Sequence, residues 1–291
     1  MPDLPAAPSD ELAPFREKVL SRGRELYRDL PWRRTRDPYA IWVSEVMLQQ
    51  TQVKRVDGRW QRWLGRFPNV RALADAQTAD VLEEWQGMGY NRRALSLRNA
   101  ARAVCDGGGE MPCEYADLVA LPGIGPATAA GIRAFAYDLP GVYLETNVRA
   151  VFLHELFPDR EGVGDREIEP LVWQCCPAGD DDPSDDPRTW YYALLDYGAY
   201  LKQTLPNPSR RSKGHVRQSR FEGSHRQKRA ALVRLLLSHN EGVDSGTLAR
   251  ELSALEEKAG RSELGDGEVE AILLELAREG FCHQQGGIWL S

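Results

Sequence analysis

Cysteine is scarce in this chain, and the few present fit no framework. The 291 residues hold five (Cys105, Cys113, Cys175, Cys176, Cys282), an odd number without paired spacing. That pattern excludes a disulfide scaffold and points to free thiols in a reducing cytoplasm. It is also a poor metal set, because Cys175 and Cys176 are adjacent and no other pair is close. Long apolar runs are missing too: nothing approaches about 18 consecutive apolar residues, the length of a membrane span. The opening MPDLPAAPSDELAPF has neither a basic head nor an apolar stretch, so a cytoplasmic protein (nucleoid-associated in a bacterium), with no membrane partner, is expected. Convincing strand alternation is absent from roughly the first two hundred residues.

Charge is present in quantity and unevenly placed. The net charge is −6, yet Arg210–Arg229 holds eight basic residues against Glu222 alone, a local +7 that leaves −13 elsewhere. Five aspartates crowd into DDDPSDD at 180–186. Such segregation suits a phosphate-facing protein with a solvated back; two oppositely charged loops are the plainer alternative.

Helical periodicity runs through most of the chain. It predicts helices over residues 9–28, 39–50, VKRVDGRWQRWLGRF, 70–75, 78–86, 91–105, 115–120 and 127–138, then one from near Asn147 and another over 191–204. After about Ser224 the pattern changes to three helices and two β-prone ends around Gly286–Gly287, a winged-helix pattern. The third of these helices is strongly acidic, which favours a structural or docking wing over a reader of base edges.

LPGIGPATAA at 121–130 has the composition of a helical hairpin. Gly123 and Gly125 permit backbone geometry closed to other residues, and Pro126 opens the next helix where a missing N–H is harmless. Free amides at that helix start form a phosphate site. A tight helix corner without a ligand is the bland alternative.

Four blocks together carry a family resemblance: PWRRTRDPYAIWVSEVMLQQTQV (31–53), WQGMGYNRRALSLRNAA (85–101), LPGIGPATAAGIRAFAY (121–137) and LETNVRAVF (144–152). Over roughly residues 12–206 they resemble the helix-hairpin-helix (HhH-GPD, endonuclease III) DNA glycosylases, most of all the MutY-like adenine glycosylases. The resemblance implies an all-α, two-lobed fold with an HhH-GPD domain over 1–223. Its six-helix lobe would span about 38–140. The second lobe would join the N-terminal helix to 141–206, and a basic segment at 207–223 would follow, ahead of a winged-helix-like domain at 224–291. It implies a monomer acting on double-stranded DNA in base excision repair, cutting the N-glycosidic bond of a flipped adenine opposite guanine or 8-oxoguanine.

Residue by residue, the family's general acid falls on Glu45, set among Val43, Val46, Met47 and Leu48. Its second carboxylate, ordinarily an aspartate, falls on Glu145 of LETNV, which keeps the charge and adds a methylene. Gln50 and Tyr90 match residues that fill or wedge the duplex. Thr51, Leu121, Gly123, Gly125, Ala127, Thr128 and Asn147 complete the expected DNA-contacting set, with Arg211, Lys213, Arg217 and Arg220 as phosphate contacts. Bifunctional relatives carry a lysine at position 127, and many adenine glycosylases a serine or tyrosine. Ala127 can form no imine, so a monofunctional hydrolase is expected.

The chain also departs from its family. The segment after LLDYGAYLKQT has no cysteine, so no [4Fe–4S] cluster is expected there, and no cofactor beyond K+ or Na+ at the hairpin carbonyls of Leu121 and Gly123. The chain shows no counterpart of the large 8-oxoguanine-inspecting domain, and Asn91 stands where a second tyrosine is common. Three alternatives stay open on sequence alone. They are a thymine or uracil glycosylase at G mismatches, a glycosylase for hypoxanthine or alkylated purines, and a non-catalytic DNA-binding scaffold.

Overall fold

The computed structural model describes residues 10–178, 186–215, 220–261, 264–265 and 267–291. Its first helices are α1 (Ala13–Glu25), α2 (Pro38–Leu48), α3 (Val53–Val56), α4 (Arg59–Arg66) and α5 (Val70–Asp75). Next come α6 (Thr78–Trp85), α7 (Arg92–Asp106), α8 (Tyr115–Ala120), α9 (Pro126–Tyr137) and α10 (Thr146–Leu156). Then follow α11 (Asp165–Cys175), α12 (Pro187–Thr204), α13 (His225–Ser238), α14 (Ser245–Lys258) and α15 (Glu268–Arg278). Strands β1 (Val243–Asp244), β2 (His283–Gln285) and β3 (Ile288–Leu290) form one small antiparallel sheet in the order β1-β3-β2. The fold is all-α apart from this sheet, as the periodicity anticipates.

Two compact units emerge, each built from two stretches of chain: 1–49 with 110–217, and 50–109 with 218–291. This grouping cuts across the expected boundaries. The stretch 38–140 does not stand as one unit, and 224–291 does not stand alone.

In the first unit, α2 is apolar on nearly every side: Tyr39, Ala40, Ile41, Trp42, Val43, Val46 and Met47 are buried. Such a helix belongs inside a core, and its lone acid, Glu45, is thereby carried inward. The small residues of α9 (Ala129, Ala130, Gly131, Ala134) let it pack closely against α2. α12 runs beside α1 and α10 on contacts that admit no side chain. A Cβ at Gly23 would lie 2.2 Å from the Ala193 Cβ, and one at Gly198 2.2 Å from the Asn147 carbonyl oxygen. Asp196 of α12 is buried and takes both Arg33 nitrogens at 2.7 and 2.8 Å, with Arg28 at 2.5 Å. This paired network fixes the segment leading into α2.

The second unit has one core that joins Leu82 of α6 and Leu95 of α7 to Leu232, Leu236, Leu248, Leu273 and Trp289 of the C-terminal helices and sheet. The wing is therefore part of a shared core, which is why it does not separate at residue 224. The expected hairpin pairs Gln285 with Ile288 across Gly286 and Gly287, both at positive φ (58° and 85°). The short β1 was not anticipated; two residues carry too little alternation to read. The expected helix over VKRVDGRWQRWLGRF is broken into α3 and α4, because Gly58 takes φ 77°. No expectation covered α11, whose interior Pro170 argues against a helix on sequence alone.

The acidity of α15 has a local cause. Glu268 pairs with Lys228 at 2.6 Å, and Glu275 and Glu279 take Arg229 at 2.8 Å each. Part of the basic stretch Arg210–Arg229 is thus consumed inside the fold. Most of DDDPSDD lies outside the described residues.

Candidate active site

Glu45 projects from α2 next to the first residues of α10. Its Oε2 accepts the Tyr143 hydroxyl at 2.9 Å. Burial pushes the carboxyl up to about 8; the Tyr143 bond opposes this, the Glu145 charge adds to it, and Arg33 opposes it. The surrounding apolar face of α2 supplies the desolvation. At neutral pH this carboxyl holds its proton.

Glu145 occupies the N-cap of α10, and its Oε1 accepts the amides of Asn147 at 2.7 Å and Val148 at 3.1 Å. Burial raises its pKa, while those two amides, the Lys202 charge and the Asn147 side chain pull the other way. Lys202 of α12 donates to Asn147 Oδ1 at 3.1 Å. The helix start and the lysine favour the charged form of Glu145, as the two amides do. Burial thus raises both carboxyls; Glu145 differs from Glu45 in meeting two backbone amides and the Lys202 charge, which partly offset that rise. The extra methylene of glutamate is absorbed by the cap itself, since the carboxyl folds back onto its own helix.

Sequence reading brings Glu45, Glu145 and Asn147 together and the structure does the same. It misses Tyr143 and Lys202. Tyr143 reads as one more apolar residue before the cap, and Lys202 as a basic residue in a helix's last turn.

The hairpin between α8 and α9 forms as expected. Leu121 accepts the Ile124 amide at 3.2 Å, Gly123 takes φ 78°, and Gly125 is the N-cap of α9 with nothing within 4 Å of where a Cβ would be. Backbone amides at that helix start are thus approachable. Ala127 is half-buried in the first turn of α9, and Thr128 accepts Gln49 Nε2 at 3.1 Å, tying the end of α2 to the hairpin.

In the second unit, Gln50 and Tyr90 are exposed, and both take left-handed backbone (φ 52° and 50°). With Asp138 they are the non-glycine residues at positive φ among the described residues. That conformation is uncommon for side-chain-bearing residues and recurs at functional positions. Arg93 organises this corner: its guanidinium lies 5.5 Å from the Tyr90 ring centre and 5.2 Å from that of Trp85. It also donates to Thr51 Oγ1 at 3.1 Å and Gly89 O at 3.0 Å. Burial lowers its pKa to about 10, so it stays charged.

The expected phosphate contacts divide. The Arg211 guanidinium donates to the carbonyls of Leu153, Phe157 and Pro158 at 2.6–2.7 Å. It closes the C-terminal end of α10, where a cation is favoured, and serves the fold. The Lys213 amide donates to Val163 O at 2.9 Å and its side chain is exposed; Arg220 is exposed. Arg217 lies outside the described residues.

Residues 43–178 match the profile of the HhH-GPD superfamily base excision DNA repair proteins. An adenine DNA glycosylase of Mycobacterium tuberculosis is 44% identical over 135 residues, 46% of this chain and 44% of that protein. One from Buchnera aphidicola is 33% identical over 175 residues, 60% of this chain and 48% of its own. One from Mycolicibacterium smegmatis is 35% identical over 184 residues, 62% and 61% respectively. The chain thus spans about half the length of the curated relatives it matches. A thermostable thymine-DNA glycosylase superposes with a TM-score of 0.55 at 24% identity, covering 64% of this chain and 84% of the other. The enzyme in a non-covalent endonuclease III–DNA complex does so at 0.52 and 16%, covering 66% and 84%. These two likenesses concern the fold. Residues 203–281 hold no cysteine, and Cys282 is buried in the core of the second unit with its Sγ 3.8 Å from Leu273 O. Among the described residues no helix is long and apolar enough to cross a membrane.

Proposed function

With an HhH-GPD domain over residues 43–178 as the premise, we propose that the chain is a monofunctional DNA glycosylase of base excision repair whose first substrate is adenine opposite guanine or 8-oxoguanine. The observation that carries this reading is the carboxyl pair: Glu45 on the apolar helix α2, bonded by the Tyr143 hydroxyl, and Glu145 capping α10 on the amides of Asn147 and Val148, with burial raising Glu45 to about 8. Two carboxyl groups with different partners can divide acid and charge-stabilising roles, and the amides at Glu145 favour its charged form more than anything does at Glu45. Glu45 gives its proton to the leaving base as the N-glycosidic bond breaks and the bonding pair departs with the base. Glu145 faces the oxocarbenium charge that develops on the sugar; water adds at the anomeric carbon through an oxygen lone pair and loses a proton to the Glu45 carboxylate, which restores the acid. No cofactor enters the scheme.

Identity to adenine glycosylases supports adenine as the base. The hairpin amides around Gly125 would hold a phosphate, and Gln50 with Tyr90 would fill the stack after flipping. Ala127 offers no amine for an imine, so strand cutting by that route is not part of the activity. Single-turnover assays on duplexes bearing adenine, thymine, uracil, hypoxanthine or an alkylpurine opposite guanine or 8-oxoguanine test this, read after alkali cleavage. Release of adenine supports the reading; preferential release of thymine or uracil reassigns the substrate. No product from any duplex, with tight binding retained, would mark a DNA-binding scaffold. Borohydride should trap no covalent complex on abasic DNA; a trapped adduct would contradict monofunctionality and direct attention to Lys202.

A further inference from the structure

We infer that Tyr143 is the positioning residue of Glu45: its hydroxyl, donated to Oε2, fixes the carboxyl so that Oε1 carries the proton delivered to the base. The inference rests on the reading of Glu45 as general acid. Tyr143 is buried and held on several sides. Its ring meets Phe135 and Tyr191 edge-on, with centroids 5.3 and 5.2 Å apart, and its amide donates to the Tyr191 hydroxyl at 3.2 Å. Gly131 of α9 makes the room. A Cβ there would lie 2.5 Å from Glu45 Oε2 and 2.9 Å from the Tyr143 ring, so the bond needs a residue without a side chain at that point. The hydroxyl, carboxyl and glycine come from three separate segments that meet at one atom.

The direction of the bond is settled by chemistry. Burial and the neighbouring carboxyl hold the phenol well above its ordinary range, so it remains a donor wherever the protein is folded. A carboxylic acid accepts such a bond on its carbonyl oxygen, which places the acid's own proton on the other oxygen. When Oε1 releases that proton to the base, the bonding pair of the O–H stays on the carboxylate, and the phenol then stabilises the anion. The other charged or titratable groups facing Glu45 are Glu145 at the start of α10, Arg33 before α2 and Tyr192 of α12. Ala127 offers no polar side-chain atom, and the Thr128 hydroxyl is engaged by Gln49.

The test is a titration of 13C-carboxyl-labelled full-length protein without DNA, with Glu45→Gln identifying the Glu45 resonance. Tyr143→Phe should move the Glu45 midpoint upward by about 1 pH unit, the size expected for losing a hydrogen bond to a charged group. It should also slow single-turnover excision about tenfold and carry the alkaline limb of the pH profile upward with the midpoint. An unchanged midpoint in a folded variant would overturn the inference and leave Tyr143 as core filling. Should the phenylalanine variant not fold, 3-fluorotyrosine at 143 keeps the volume and donates more strongly. It should lower the midpoint, and no movement would overturn the inference. If wild-type protein excises no base, the proposed function fails, while the titration still decides whether Tyr143 governs Glu45.

Discussion

Glu45 is a carboxyl whose role depends on being in the wrong solvent. An exposed glutamate would be ionised at neutral pH; this one, on a helix with apolar residues on nearly every side, is held up to about 8. As a general acid it is active while protonated, so excision should stay level through neutrality and fall as pH rises past about 8. The same shift has a stability consequence. The folded state binds this proton more tightly than the unfolded chain, whose carboxyl titrates near 4.5, so stability falls as pH climbs from about 4.5 to about 8 and levels beyond. Glu45→Gln cannot ionise. Its melting temperature relative to wild type should therefore rise between about pH 5 and pH 8, while excision drops by about a hundredfold or more. A melting difference that stays flat with pH would contradict the buried-acid account. The sequence showed Glu45 plainly, because its apolar neighbours on α2 are themselves the cause of the shift. Tyr143 was not legible, since nothing in LETNV or the residue before it says that a phenol reaches across to another helix. The bonds of Arg211 to the end of α10 are equally illegible, because a charge in a basic run looks the same whether it meets solvent or a helix end.

At the scale of elements, the second carboxyl is inseparable from the helix it caps. Glu145→Ala should lose both the cap of α10, about 1 kcal/mol, and most of the excision rate. Glu145→Asp should keep the cap, because aspartate is a strong N-cap residue, so stability and rate part company only if the carboxyl's reach matters to catalysis. Thermal melts beside single-turnover rates separate these outcomes. Close helix approach gives a second pair of expectations. Gly198→Ala drives a Cβ into the Asn147 backbone and should cost about 1–3 kcal/mol of stability. Gly131→Ala instead displaces Glu45 and Tyr143, so excision should suffer more than the melt. Helix existence was well forecast by periodicity. Two features were not: Gly58 divides α3 from α4, and α11 exists despite its interior Pro170.

Over the whole molecule, the chain groups into units that its linear order conceals. Residues 50–109 share a core with 218–291, so Leu232→Ala, a loss of about 2–5 kcal/mol, should loosen α6 and α7 along with the C-terminal helices. Hydrogen exchange would show protection lost in 78–106 as well as beyond 225; loss confined to the C-terminal stretch would contradict a shared core. Such long-range company could not be read from composition, which marks 224 as a boundary because the helical pattern changes there. The charge pattern also resolves only in three dimensions. Lys228 and Arg229 answer the acids of α15, whereas Arg220 is exposed. Arg220→Glu should therefore weaken binding to all duplexes alike and flatten its salt dependence, while Arg211→Glu should act through stability.

Glu45 as the general acid is tested most directly by single-turnover release of adenine from an adenine–8-oxoguanine duplex, measured from about pH 6 to 9 for the wild type and for Glu45→Gln. The prediction is base release that is level at neutral pH, declines past about 8, and disappears in a folded, DNA-binding Glu45→Gln. Undiminished excision by that variant, or a rate that climbs as Glu45 ionises, would contradict it.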